Sequence, residues 1–333
     1  MSPREIERVR EIQGDFADVK LPELAAVPGM IKPSEARYLY WLASTAYLGH
    51  GAVVELGSFL GASATHLAAG LRDGGLGGEL HCFDRFLWDR DHAAKFDLGI
   101  AIGEDYRAHF EQNVRRVYDG VRAHSVELRE LTWDRGPVEL LFVDAPKKFV
   151  ELEATLTAFS PHLEPGQALI AFQDFAHAPS YAVALVIAGL GEHLELKHVV
   201  AGGSTASFLL REPLPRDARA WRELDFSRWT RTSMIDAFEG LAARIRLDDV
   251  RRKLAPGLAM ALWDLGARNE ALTRVRALEF DEPLQRHWQR MARGPLFERY
   301  DGLFLARGFA APAPRGNVLT RFVRGLLGGK PSA

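Results

Sequence analysis

Residues 53–63, Val-Val-Glu-Leu-Gly-Ser-Phe-Leu-Gly-Ala-Ser, constrain the fold of this chain more than any other segment. An apolar run leads to the acid Glu55, and Gly57 and Gly61 follow before a helical pattern begins near Ser63. Glycine permits a sharp bend and a close approach of the backbone to a ligand, and the free N–H groups at a helix start favour anions. We therefore predict a buried parallel strand, a tight ligand-binding turn and the start of a helix.

The spacing within this segment also bears on the cofactor. The acid and the glycines form a Glu-x-Gly-x-x-x-Gly pattern, which differs from the Gly-x-Gly-x-x-Gly fingerprint of dinucleotide-binding turns. The difference disfavours a nicotinamide cofactor and favours S-adenosylmethionine.

The composition narrows the class of protein. The chain has 333 residues, of which 47% are hydrophobic, and a formal net charge of -2, so it can bury a full core and has no general attraction for nucleic acid. Its single cysteine, Cys82, excludes an intrachain disulfide framework. The first residues lack the apolar core of a signal peptide, and no apolar run reaches the ~20 residues that span a bilayer. We expect a soluble protein of the cytoplasm.

Strand-like and helix-like patterns alternate along residues 33–213. The predicted strands are Ala52–Leu56, Glu79–Phe83, Ser125–Leu128, Val138–Asp144, Ala168–Phe172, Leu194–Val200 and Thr205–Arg211. Such alternation predicts a parallel sheet with helices on both faces, and the short glycine link between the last two strands predicts one antiparallel strand at an edge. We therefore expect an α/β fold, with a Rossmann-like, doubly wound, seven-stranded sheet and a C-terminal helical extension.

The same patterns divide the chain into four segments. We expect an N-terminal helical cap over residues 1–32, an S-adenosylmethionine-binding domain over 33–213, a helical extension over 214–312 and a basic tail over 313–333. The tail carries basic residues and no acid, and we favour a docked or frayed segment over a helix at a membrane surface.

Polar residues stand at the carboxyl ends of the predicted strands. They are Glu55, Asp84, Asp144, Gln173 and Asp174. In open parallel sheets, ligands bind at this edge, where the order of the strands reverses. These residues are therefore predicted to line one binding site.

Two segments of the chain resemble a known family. Val53–Leu67 and Leu141–Lys147 are similar to class I S-adenosylmethionine-dependent methyltransferases, above all to the catechol and caffeoyl-coenzyme A O-methyltransferase group and to metal-dependent sugar O-methyltransferases of antibiotic pathways. The likeness extends over roughly residues 30–212.

The resemblance implies which residues bind S-adenosylmethionine. The implied cofactor-binding residues are Glu55, Gly57, Ser58, Phe59, Gly61, Ser63 and Asp84. Of these, Ser63 is expected to bind the carboxylate of the methionine moiety, and Asp84 to accept hydrogen bonds from both ribose hydroxyls, which the two oxygens of a carboxylate suit.

The resemblance also implies a catalytic end in Asp144-Ala-Pro-Lys147, with a metal-binding carboxylate and a lysine base. A lysine can act as a base only if its pKa is depressed, which burial favours. The implied metal ligands are Asp144, Gln173 and Asp174, but the glutamine stands where the family usually has a carboxylate. Because Mg²⁺ prefers carboxylates, binding of Mg²⁺ or another divalent cation is left open, and without it Asp174 or His177 becomes the general base.

An irregular segment, residues 85–103, follows the second predicted strand. Its residues Trp88, His92 and Phe96 are expected either to form a wall over the acceptor or to pack within the protein.

We predict an O-methyltransferase that acts on a hydroxyl of a small acceptor, a sugar or a secondary metabolite, with or without a divalent metal. Two alternatives stay open: a catalytically degenerate methyltransferase fold that binds a partner protein, and a nicotinamide-dependent oxidoreductase. The oxidoreductase is disfavoured because the sequence has neither a Gly-x-Gly turn nor a Tyr-x-x-x-Lys pair at the expected places. The sequence leaves formation of a homo-oligomer open.

Overall fold

The computed structural model of the protein describes residues 16–309. In this part of the chain, helices and strands are interspersed as far as the last strand, and only helices follow. The helices are α1 (Pro33–Trp41), α2 (Ala62–Gly74), α3 (Arg90–Lys95), α4 (Arg107–Arg115), α5 (Phe149–Phe159), α6 (Tyr181–Leu190), α7 (Ala218–Leu224), α8 (Arg231–Ala243), α9 (Asp248–Asp264), α10 (Arg268–Ala277), α11 (Glu282–Ala292) and α12 (Leu296–Ala306).

The strands of the described residues form one seven-stranded sheet in the order β3-β2-β1-β4-β5-β7-β6. The strands are β1 (Ala52–Leu56), β2 (Leu80–Asp84), β3 (Val121–Ser125), β4 (Val138–Val143), β5 (Leu169–Phe172), β6 (Leu194–Val199) and β7 (Ala206–Leu210). The first five strands pair in parallel, and β7 runs antiparallel to both β5 and β6. The predicted α/β fold is confirmed. The antiparallel strand is β7, which lies next to the edge strand β6.

The two faces of the sheet follow the alternation of side chains along the strands. One face, which includes Val53 and Leu140, packs in one apolar cluster with side chains of α1, α2 and α4. On the other face, the ring of Phe83 lies 6.1 Å from that of Phe159 in α5. All residues of β4 are buried, as expected for a central strand of a parallel sheet that helices cover on both faces.

The third strand differs from its predicted position. It occupies Val121–Ser125, and the predicted segment instead enters a short 3₁₀ turn at Leu128–Glu130. Because β3 is an edge strand, it alternates buried Val121 and Ala123 with more exposed residues. A search for a continuous apolar run therefore overlooks it.

The described residues divide into two compact units, one that ends at Ala267 and one that begins at Arg268. Helices α8 and α9 pack against α6 within the first unit, so the structure places part of the predicted helical extension with the sheet. In the second unit, the ring of Trp288 packs between those of Phe280 and Phe304. The basic tail over 313–333 and residues 1–15 of the predicted cap lie outside the described residues. No helix in residues 16–309 is long and apolar enough to cross a membrane.

Candidate functional site

A cleft of about 830 Å³ lies at the carboxyl end of the parallel strands. It is lined by the turn after β1, the ends of β2, β4 and β5, and the segments that follow β2 and β3. Most of the predicted site residues line it: Gly57, Ser58, Phe59, Ser63, Asp84, Asp144, Lys147, Gln173 and Asp174. Glu55, Gly61 and His177 are not among its lining residues. The strand ends therefore meet as predicted, in a single cavity.

The turn after β1 has an unusual backbone conformation. Gly57, Phe59 and Gly61 have φ angles of +91°, +45° and +94°, a region that residues with a side chain avoid. At Gly57 a Cβ atom would lie 2.7 Å from the backbone nitrogen of Ala145. The glycine is thus required both by the bend and by the close approach of the chain that follows β4.

Asp84 holds this turn in place. Its Oδ2 accepts a hydrogen bond from the Phe59 N–H at 2.9 Å, and its Oδ1 accepts from the Phe86 N–H at 2.9 Å and from the Tyr106 hydroxyl at 3.0 Å. A carboxylate offers about four acceptor positions, and the protein fills three. One position is left for a ribose hydroxyl, so binding both hydroxyls, as predicted, requires one of these contacts to yield.

Glu55 is fully buried beneath the turn. Burial raises the pKa of its carboxyl to about 7, and the Cys82 thiol donates to its Oε2 at 3.4 Å. Within the described residues, the Oε1 of Glu55 and the Oγ of Ser58 are buried without a hydrogen-bond partner. Such atoms suit the ammonium group of a methionine moiety, which is a donor only. The chemistry of the turn therefore fits S-adenosylmethionine.

Ser63 lies in the first turn of α2 and lines the cleft. The residue at the N-cap position of this helix is Gly61, which has no side chain to cap it. The free N–H groups at this helix start therefore favour a negatively charged group.

The catalytic end is organised around Lys147. Its Nζ lies 3.0 Å from the Oδ1 of Asp144 and 3.0 Å from the Oδ2 of Asp174. The side chains of all three residues are 28–30% exposed. The ammonium group thus bridges the acids that follow β4 and β5, at the floor of the cleft.

This bridge sets the charges of the three groups. Burial alone would lower the pKa of Lys147, but the two carboxylates raise it above its usual value. Burial raises the pKa of Asp144, whereas Lys147 and His177 hold the pKa of Asp174 below its usual range in spite of burial. The depressed lysine pKa that a base requires is therefore absent from this arrangement, and Lys147 is a charged ammonium at neutral pH.

Gln173 takes part in a different interaction from the predicted one. Its amide oxygen accepts from the Thr205 hydroxyl, and its Nε2 donates to the Oε1 of Glu35 at 3.2 Å. The same Glu35 oxygen accepts from the Ser204 N–H at 2.8 Å, and it lies 3.0 Å from the Thr205 hydroxyl, which shares its one proton between Glu35 and Gln173. The structure thus corrects the metal-ligand role of Gln173, because its oxygen is engaged in a buried network.

Glu35 is a residue of this site that sequence reasoning missed as such. It lies in the first turn of α1, is 1% exposed, and its Oε2 also accepts from the Lys32 N–H at 3.0 Å. The one signal in the sequence, an acid near a helix start, indicates only a cap.

The implied divalent metal does not fit these residues. Asp144 and Asp174 share the Lys147 ammonium, and Gln173 offers no available oxygen. Among residues 16–309, no group of three or more His, Cys, Asp or Glu side chains is arranged to hold a metal ion. The donor set is that of an ion triad of one ammonium and two carboxylates.

His177 lies behind Asp174. Its Nδ1 is 3.1 Å from the Ser180 hydroxyl and 3.9 Å from the Oδ2 of Asp174. Burial lowers the pKa of this imidazole, so that it is neutral at physiological pH and able to accept a proton.

The predicted aromatic wall is largely internal. The ring of Phe59 lies 5.8 Å from Trp88, 4.7 Å from His92 and 5.2 Å from Phe96. Trp88 is 2% exposed, and of Trp88, His92 and Phe96 only His92 lines the cleft. Packing against the turn after β1 is therefore the main role of this segment.

Comparison with known protein families identifies the domain. Residues 54–175 match the family model described as methyltransferase domain. Over these residues the chain is similar to methyltransferase domains. The matched residues extend from β1 past the end of β5 and contain nearly all of the cleft's strand ends. The predicted resemblance to class I S-adenosylmethionine-dependent methyltransferases is confirmed, and with it the assignment of the chain as an enzyme of this type.

Several solved structures are similar to this chain at low identity. Cofactor-bound Rv0187 from MTB is 21% identical, with 63% of this chain and 89% of that chain covered and a TM-score of 0.38. The O-methyltransferase NovP is 15% identical over 61% and 88%, with a TM-score of 0.44. PaMTH1 of Podospora anserina, bound to SAH, is 16% identical over 63% and 88%, with a TM-score of 0.41. No curated protein matches the chain.

Proposed function

We propose that this methyltransferase transfers the methyl group of S-adenosylmethionine to a hydroxyl of a small acceptor, a sugar or a secondary metabolite. The observation that carries the proposal is that one cleft is lined by the turn after β1, by Asp84 at the end of β2, and by the triad of Asp144, Lys147 and Asp174. A cofactor held by the turn would lie next to a charged group suited to the reacting oxygen.

The residues of the turn divide the recognition of the cofactor among them. Ser58 would accept from its ammonium, with the Glu55 carboxyl buried beneath the turn, Ser63 and the start of α2 would bind its carboxylate, and Asp84 would bind its ribose. When bound, S-adenosylmethionine supplies a methyl group on a positively charged sulfur, which is open to in-line attack.

The triad would act on the acceptor hydroxyl. The Lys147 ammonium would orient the oxygen and stabilise the negative charge that develops on it. The oxygen forms its bond to the methyl carbon as the bond from carbon to sulfur breaks and its electron pair passes to sulfur. The hydroxyl proton passes to Asp144, the triad carboxylate whose pKa is raised, with neutral His177 as the second candidate base.

Titration calorimetry with S-adenosylhomocysteine tests the cofactor, and formation of S-adenosylhomocysteine in the presence of catechols or sugars tests the reaction. We expect the protein to bind S-adenosylhomocysteine, to show no heat of binding with NAD, and to methylate at least one hydroxylated acceptor. Failure to bind S-adenosylhomocysteine would refute the proposal.

The degenerate, partner-binding alternative has one observation in its favour, the loss of a carboxylate at Gln173. It predicts that S-adenosylhomocysteine binds while no hydroxylated acceptor is methylated. A single acceptor that is turned over, with activity lost in Lys147→Ala, removes this alternative.

A further inference from the structure

We propose that Lys147 is the resident cation of this site and takes the place of the divalent metal, so that the enzyme works without one. The inference rests on the proposed function, because it assigns the charge that stabilises the reacting oxygen. It goes beyond that function because it excludes a divalent metal from the site.

The position of the ammonium is the first argument. Its nitrogen lies 3.0 Å from one oxygen of Asp144 and 3.0 Å from one oxygen of Asp174. A lysine ammonium is a compact charge with three donors, so two carboxylates and an acceptor oxygen would satisfy it. A divalent ion between the same carboxylates would lie beside the Lys147 ammonium, and the repulsion between the two cations in this partly buried place would oppose its binding.

The third oxygen that a metal would need is already engaged. The amide oxygen of Gln173 accepts from Thr205, and its nitrogen donates to Glu35. To turn towards Asp144, Gln173 would have to leave Glu35, which is buried and also holds Ser204 and Thr205. A buried carboxylate that loses donors pays a desolvation penalty, so Glu35 keeps Gln173 in place.

The two observations are independent and agree. The carboxylates have a cation from the chain itself, and the neighbouring amide is fixed elsewhere. Together they indicate that Gln173, in place of the family's carboxylate, accompanies the replacement of a divalent metal by the side chain of Lys147.

Binding of Mn²⁺ to the full chain tests this proposal. The protein is first treated with EDTA and dialysed, and binding is then measured as the loss of the electron paramagnetic resonance signal of free Mn²⁺. The variants are Lys147→Ala, Lys147→Ala with Asp144→Asn, and Lys148→Ala as a matched control. Lys148 is the next lysine, is 73% exposed and pairs with Glu151, so its removal changes the charge equally but leaves the triad intact.

We expect no Mn²⁺ binding by the wild type or by Lys148→Ala, at least tenfold tighter binding by Lys147→Ala, and loss of this gain in the double variant. The turnover of the wild type should not change with EDTA. Stoichiometric binding by the wild type, with activity that EDTA removes and Mn²⁺ restores, would overturn the proposal, and so would a Lys147→Ala variant that binds no Mn²⁺. Each variant is also titrated with S-adenosylhomocysteine. This binding shows whether the variant is folded and tests the proposed function independently of Mn²⁺ binding.

Discussion

Asp84 accepts a hydrogen bond from the backbone N–H of Phe59 at 2.9 Å. The end of β2 therefore holds the turn after β1, and the carboxylate that we propose to bind the cofactor's ribose also fixes the conformation of this turn. Under the proposed function, recognition of the cofactor and preorganisation of the turn depend on one side chain.

Asp84→Asn is expected to weaken binding of S-adenosylhomocysteine at least tenfold. The amide has one acceptor oxygen instead of two, so a contact to Phe59, to Tyr106 or to the ribose is lost, and a hydrogen bond to a charged group is worth about 1.5–3 kcal/mol. Titration calorimetry measures the change. Asp119→Asn, which removes an equal charge from an exposed position, is the control, and equal affinities of the two variants would contradict the role of Asp84.

Gly57→Ala is expected to disrupt the turn, and Gly136→Ala provides a matched control. Both glycines have positive φ angles, +91° and +84°, but a Cβ atom at Gly57 would meet Ala145 at 2.7 Å, while at Gly136 nothing lies within 4 Å. The control bears only the backbone cost of about 1–2 kcal/mol. We expect a larger loss of stability in urea for Gly57→Ala, together with weakened binding of S-adenosylhomocysteine. Equal losses would show that the close approach to Ala145 is tolerated.

Glu55 is expected to make the stability of the protein depend on pH. Its pKa is raised from 4.5 to about 7 by burial, so between these values the folded state binds a proton that the unfolded state has released. Stability therefore falls as the pH rises through this window, by about 3 kcal/mol at 1.36 kcal/mol per pKa unit. Urea unfolding of the wild type and of Glu55→Gln at pH 4.5 and pH 7.5 measures this. Relative to the wild type, the free energy of unfolding of Glu55→Gln should be higher at pH 7.5 than at pH 4.5. If the difference in this free energy between variant and wild type is the same at both pH values, the raised pKa is contradicted.

Glu35→Gln is expected to cost about 1–3 kcal/mol of stability. The amide replaces one carboxylate oxygen with a donor, which then faces either the Lys32 N–H or the donors Gln173, Ser204 and Thr205. The free energy of unfolding in urea measures the loss. Glu212→Gln, at an exposed position, should be nearly neutral, and a neutral Glu35→Gln would show that the network contributes no stability.

Lys147→Ala is expected to lower kcat by a factor of about 100 or more and to leave the affinity for S-adenosylhomocysteine nearly unchanged. The positive charge next to the reacting oxygen is lost, whereas the turn after β1 is untouched. Steady-state kinetics and calorimetry separate the two quantities. A variant that methylates at the normal rate would remove Lys147 from the mechanism.

The strand, turn and helix over residues 52–74 could be predicted because each depends on local sequence: a continuous apolar run, glycines where φ is positive, and a helical repeat. The meeting of the strand ends followed from the topology of a parallel sheet. The edge strand β3 could not be located in this way, because its pattern is half polar.

The charge state of the site also lay beyond the sequence. The Asp144–Lys147 pair is local, but the second carboxylate, Asp174, comes from another strand and turns a predicted base into a bridged ammonium. Glu35 accepts hydrogen bonds from Gln173 and Thr205, which lie 138 and 170 residues further along the sequence. No local pattern indicates a contact of this range, and a helix-start acid has a sufficient explanation without it.

The contact of Glu35 with Ser204 and Thr205 joins the first helix of the domain to the hairpin that completes the sheet. During synthesis on the ribosome, the glutamate emerges about 170 residues before its partners, and domains form from the N-terminus as the chain lengthens. A nascent chain that stops short of this hairpin has the cofactor turn but no anchor for Gln173 and Asp174. The segment that carries Gln173 and Asp174 is therefore held in place only after the hairpin has been synthesised.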